Sequence, residues 1–269
     1  MVRSLAFTWA RFGWFQNSAF LCFHRLRFLA SSGAMRNPII VALDVPTAEA
    51  GVELAGRLAP VVGAFKIGSE LFTVAGPGMV RSLRALGLPV FLDLKFHDIP
   101  NTVAKAVDAA VRLDVQMVTV HTSGGLAMLQ AAEQAAQGTA RLLNRPPPLV
   151  LGVTVLTSLD DAGLAEVGVT ATTPQQVERL ARLAARAGLR GLVCSPLELP
   201  ALRALLPASF QLVTPGIRLP DAPLDDQKRT RTPAEALAAG ANWLVIGRPI
   251  LAAPDPRAAA ERILAGLPG

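Results

Sequence analysis

Asp93, Lys95 and Asp98 crowd into the short stretch Phe91-Leu-Asp-Leu-Lys-Phe-His-Asp98. Leu88-Pro-Val-Phe-Leu92 leads into it, and this apolar run reads as a buried strand. Successive side chains of a strand point to opposite faces, so Asp93 and Lys95 point the same way. Buried charges are costly unless paired. A carboxylate and an ammonium on one face therefore suggest an active site at a strand end, with chemistry carried by fixed charges. Asp98 lies past the strand, beside the turn led by Ile99-Pro100-Asn101, and need not share the pocket of its own chain.

The elements that would hold these residues alternate along the chain. From residue 39 onward, apolar runs are separated by helical stretches rich in Ala, Leu and Arg. Candidate strands are Ile39–Leu43, Ala64–Ile67, Val90–Leu94, Met117–Val120, Leu149–Val155, Gly191–Cys194, Gln211–Val213 and Trp243–Ile246. Eight strands, each followed by a helix or helical turn, predict an α/β fold, a closed (β/α)8 TIM barrel. A chain of 269 residues accommodates one such domain, over residues 35–269.

Helix punctuation agrees with this reading. Thr173-Pro174-Gln175-Gln176 reads as an N-cap, a first-turn proline and a capping-box Gln. Thr232-Pro233-Ala234-Glu235 repeats the pattern, and Gly240 can close that helix. Pro146-Pro-Pro148 gives a rigid lead-in to the fifth strand, and Leu219–Thr232 reads as a long loop after the seventh. Polar residues gather at strand C-terminal ends: Asp44, Lys66, Asp93, Lys95, His121, Thr157, Arg218 and Arg248. In this architecture that rim carries the active site.

Composition narrows the function. The two cysteines, Cys22 and Cys194, lack disulfide or ligand spacing, which fits a cytoplasmic protein without a structural metal. No H-E-x-x-H, C-x-x-C or G-x-G-x-x-G pattern appears, so metal-hydrolase and dinucleotide readings start weak. Net charge is +6, but residues 1–34 contribute +4 through Arg3, Arg11, Arg25 and Arg27 and hold no acid. The basic excess is thus no nucleic-acid-binding face.

Residues 1–34 also hold eight of the chain's 14 aromatics. Arg11, Gln16, Asn17 and His24 interrupt any signal-peptide core, and no run reaches the ~18 apolar residues of a membrane span. The segment reads as a non-conforming basic and aromatic extension or a start-site artefact, with Met35 a natural start. A targeting or membrane-surface helix is the competing reading.

The array D-x-K-x-x-D at residues 93–98, with I-P-N-T at 99–102, closely resembles the orotidine 5'-phosphate decarboxylase family. Val41-Ala-Leu-Asp44, Phe65-Lys66-Ile67-Gly68, Val155-Leu-Thr-Ser158, Thr214-Pro-Gly-Ile-Arg218 and Val245-Ile-Gly-Arg-Pro249 follow the family's order. The resemblance runs from about Asn37 to the C-terminus. It implies decarboxylation of orotidine 5'-phosphate (OMP) to uridine 5'-phosphate (UMP) in pyrimidine biosynthesis, with no cofactor and no metal. It implies Lys66, Asp93, Lys95 and Asp98 as an alternating catalytic array, with Lys95 protonating C6 and Asp93 beside the departing carboxylate. Asp44 would hold ribose hydroxyls, and Thr157 would contact the nucleotide. Arg218, Gln227, Gly247 and Arg248 would grip the phosphate; Gly247 lets a backbone N–H approach closely, and Arg248 can form a paired contact. Asp98 and Thr102 are expected in the partner's site of a homodimer. His97 and His121 are expected to lie outside the direct chemistry.

Rival readings remain. Magnesium-dependent sugar-phosphate barrels, the hexulose-phosphate synthases and ketogulonate-phosphate decarboxylases, share D-x-K-x-x-D. They place a glutamate where this chain has Lys66 and lack the I-P-N-T tail. A Schiff-base aldolase using Lys95 is weaker, because flanking aspartates keep that lysine protonated. A membrane-associated scaffold led by residues 1–34 is the non-enzymatic alternative.

Overall fold

A computed structural model describes residues 37–218 and 231–268. The N-terminal segment 1–34, Gln227 and most of the loop predicted after the seventh strand lie outside these residues.

Eight parallel strands close into a barrel in sequence order. They are β1 (Ile39–Ala42), β2 (Ala64–Ile67), β3 (Val90–Phe96), β4 (Met117–His121), β5 (Leu149–Val153), β6 (Gly191–Val193), β7 (Gln211–Thr214) and β8 (Trp243–Ile246). Between them run α1 (Ala48–Leu58), α2 (Ser69–Ala85), α3 (Pro100–Arg112), α4 (Gly125–Leu142), α5 (Asp161–Glu166), α6 (Thr173–Arg186), α7 (Leu199–Leu205) and α8 (Pro233–Ala238). After β8 come α9 (Arg248–Leu251) and α10 (Pro256–Ala265). All eight sequence-predicted strands are present; β3 runs two residues further than expected, and β5 stops two residues earlier.

Strand alternation divides the core in two. Ile39, Val41, Phe65, Leu92 and Val118 face outward into a large cluster with the helices. Ile40, Ala42, Ala64, Phe91, Met117, Leu151, Val213, Trp243 and Val245 form a separate cluster, the packed barrel interior. Trp243 is 1% exposed, so Trp243→Ala would leave a cavity costing about 3–5 kcal/mol. Ala42, Phe91 and Val245 top this interior and floor the pocket above it.

Two caps follow the expected chemistry, one with a shift. Thr232 N donates to Glu235 Oε2 (2.9 Å) and Glu235 N donates to Thr232 Oγ1 (3.3 Å), so the α8 capping box is as predicted. At α6 the N-cap is Thr172, one residue earlier than expected, and its N–H donates to Gln175 Oε1 (3.1 Å). The Thr173 hydroxyl is engaged elsewhere: it donates to Asp161 Oδ1 at 2.7 Å, tying α6 to α5.

Candidate active site

The C-terminal mouth of the barrel encloses a pocket of about 520 Å3, within the usual range for small ligands. Asp44, Lys66, Asp93, Lys95, Thr157, Arg218, Gly247 and Arg248 all line it. Every predicted rim residue except His121 is therefore brought to one cavity. Four cationic side chains face two carboxylates there, which favours an anionic ligand.

Asp93 sits at the centre, 9% exposed. Lys95 Nζ donates to its Oδ1 at 2.9 Å, while Lys66 Nζ stands 3.6 Å from its Oδ2. Lys66 Nζ also donates to Asp44 Oδ1 at 3.2 Å. The parallel register that sets Ala42 beside Lys66 makes this last pair, carrying Asp44 past the end of β1 toward the lysine. Within one chain the alternating array is thus Asp44–Lys66–Asp93–Lys95. Each charge has an opposite neighbour, which offsets its desolvation.

A break in strand geometry shapes the pair. Leu92 pairs with Val118, but the next paired residue, Phe96, faces Val120. Asp93, Leu94 and Lys95 together therefore oppose the single residue Thr119. Lys95 adopts a left-handed backbone (φ 51°), a strained state that non-glycine residues rarely hold. Its N–H, turned out of the ladder, donates to Thr119 Oγ1 at 2.9 Å. The Thr119 hydroxyl in turn donates to Asp93 Oδ1 at 3.0 Å. Sequence reasoning did not single out Thr119, because a threonine in a strand ordinarily reports only β-propensity.

Gly68 clears the seat of Lys66. A Cβ there would come within 2.9 Å of Lys66 Nζ and 3.4 Å of Asp44 Oδ1. Across the mouth, Gly247 is the N-cap of α9 and Arg248 its first residue. Arg218 N donates to Arg231 O at 3.0 Å, and Ile217 bridges Arg231, so the two ends of the segment after β7 are joined.

Asp98 and Thr102 are exposed and do not line this pocket. Asp98 Oδ1 accepts from Ile99 N (2.6 Å) ahead of α3, and Ile99 is 66% exposed. The rings of His97 and His121 lie tilted at 38° to one another, with centroids 5.6 Å apart. Burial, then the charges of His97 and Lys95, lower the pKa of His121, opposed by Asp93. Among the described residues, no three His, Cys, Asp or Glu side chains are grouped to hold a metal ion, and no helix is long and apolar enough to cross a membrane.

Comparison with known proteins places relatives beside this geometry. Residues 37–263 match the family model of the orotidine 5'-phosphate decarboxylase / HUMPS family. The chain is 55% identical over 231 residues to an orotidine 5'-phosphate decarboxylase of Moorella thermoacetica, covering 86% of this chain and 92% of the relative. It is 56% identical over 229 residues to that of Opitutus terrae, covering 85% and 97%. The crystal structure of the Lactobacillus acidophilus orotidine 5'-phosphate decarboxylase is similar at a TM-score of 0.72 and 37% identity, covering 84% of this chain and 97% of that one. An uncharacterized conserved protein from Geobacillus kaustophilus aligns at a TM-score of 0.75 and 34% identity, covering 85% and 99%.

Proposed function

The chain belongs to the orotidine 5'-phosphate decarboxylase / HUMPS family, and we propose that it decarboxylates OMP to UMP in pyrimidine biosynthesis without a cofactor. The observation that carries this reading is one buried carboxylate, Asp93, with a lysine at each of its oxygens in a pocket where cations outnumber carboxylates. The substrate carboxylate lies against Asp93. Two carboxylates at ~4 Å repel by roughly 4 kcal/mol at an effective dielectric near 20. As the bond from C6 to the carboxyl carbon breaks, CO2 departs and the electron pair stays on C6. The Lys95 ammonium stabilises that charge and gives C6 its proton, then regains one from solvent. Lys66 keeps Asp93 compensated throughout.

Asp44 holds the ribose hydroxyls and Thr157 contacts the nucleotide. Arg218, Gln227, Gly247 and Arg248 receive the phosphate, in keeping with the usual phosphate position after the last two strands of such barrels. Asp98 and Thr102 complete the site of a second copy in a homodimer; their exposure outside their own pocket supports this. The two cysteines, Cys22 and Cys194, lack disulfide spacing, which supports a reducing, cytoplasmic setting. Lys95→Ala tests the assignment: turnover should be nearly abolished while UMP still binds. A Lys95→Ala chain with wild-type turnover would remove the proposed proton donor.

A further inference from the structure

We propose that Thr119 is a positioning residue whose hydroxyl sets the geometry of the Asp93–Lys95 pair; the inference rests on the decarboxylase reading above. Three observations meet on this one oxygen. It lies at the irregularity of the β3–β4 ladder, where three residues of β3 oppose it alone. It accepts the N–H of Lys95, the residue held in the left-handed region. It donates to the same carboxylate oxygen, Asp93 Oδ1, that receives the Lys95 ammonium.

The polarity of this arrangement is fixed. A threonine hydroxyl has one proton to give and lone pairs to receive. Its proton goes to Asp93, so the Lys95 N–H is what its lone pair receives. Thr119 is 0% exposed, so no bulk water replaces it when it is lost. An unmatched N–H at Lys95 would relax the left-handed backbone toward an ordinary strand, and the ammonium would move with it. The Asp93 carboxylate would lose one of the two donors on Oδ1, leaving only side chains as mobile as lysine to hold its rotation about the Cβ–Cγ bond. Both consequences fall on groups whose positions relative to the reacting carbon matter at about the 1 Å level. Thr119 itself does not line the pocket, so substrate affinity should depend on it little.

The experiment compares wild type, Thr119→Val, Thr119→Ala and Thr119→Ser by steady-state OMP turnover and by UMP binding in calorimetry. Valine keeps the β-branched shape and removes only the hydroxyl. The expected result is a loss in kcat of roughly 10- to 100-fold for Thr119→Val, with UMP affinity within about twofold of wild type. Thr119→Ser, which restores the hydroxyl, should recover kcat to within about threefold. Should the valine chain not fold, Thr119→Ala carries the same expectation against Thr119→Ser. Wild-type kcat in the valine or alanine chain would overturn the proposal. So would equal impairment of the serine chain, or kcat and UMP affinity falling together. A wild-type chain that does not turn over OMP would instead refute the decarboxylase reading, which separates the two failures.

Discussion

Lys66 Nζ stands 3.6 Å from Asp93 Oδ2, the carboxylate oxygen opposite the one that Lys95 holds. The two lysines therefore grip one carboxylate from both sides, and Lys66 alone also reaches Asp44. Its side chain is only 12% exposed. Lys66→Ala would leave Asp93 buried with one cation instead of two. Turnover should fall at least about 100-fold, since fixed charges aimed at the reacting centre dominate such sites. Steady-state assay of the folded variant checks this, and a loss under tenfold would contradict it.

Gly68 offers a test of Lys66 that removes no charge. A methyl group there would crowd the ammonium at 2.9 Å. Gly68→Ala should lower kcat on the order of 10- to 100-fold through misplacement alone. Gly56, in α1, has nothing within 4 Å of a built Cβ. Gly56→Ala is the matched control: activity unchanged, stability raised by up to about 1 kcal/mol in thermal melts.

The barrel was legible in the sequence because each strand is an apolar run between helical stretches. The Asp93–Lys95 pair was legible too, though alternation is only part of its cause. A regular strand gives no hint that Lys95 turns left-handed, because a φ of 51° leaves no trace in hydrophobic periodicity. Thr119 was invisible for the same reason: its role comes from the register between β3 and β4. The bond between Asp44 and Lys66 also depends on register, which one sequence does not state. At α6 two adjacent threonines compete for the cap, and Asp161, distant in sequence, decides it by taking Thr173.

His121 makes stability depend on pH. Burial, His97 and Lys95 lower its folded-state pKa below the ordinary value of 6.5. A depressed folded pKa means that the unfolded chain takes up the proton first. Stability from neutral His121 is therefore present above that ordinary value and is lost as pH falls through the folded one. Between pH 7.5 and 5.5, values chosen to bracket about 6.5, wild type should lose more melting temperature than His121→Gln. Equal losses would contradict the assignment.

Arg248 is proposed to bind phosphate remote from C6. Arg248→Ala should weaken UMP by about 100-fold, and added phosphite dianion should partly restore turnover of a phosphate-truncated substrate. Equal effects of the substitution on truncated and whole substrates would count against that role.

Sharing of the site between two copies is tested by mixing inactive Asp98→Ala and Lys95→Ala chains. If Asp98 serves the partner, a mixed dimer holds one site with both residues intact. Random assortment makes about half the dimers mixed, so roughly a quarter of wild-type activity should return. Mixed dimers confirmed by native mass spectrometry but still inactive would show that each chain uses its own Asp98.

The central claim is that fixed charges in this pocket decarboxylate OMP unaided. The measurement is quantification of UMP and CO2 formed from OMP by the purified chain in excess EDTA. The account predicts equal amounts of both products at a rate that EDTA does not change. Absence of UMP, or turnover abolished by EDTA and restored by magnesium, would contradict it.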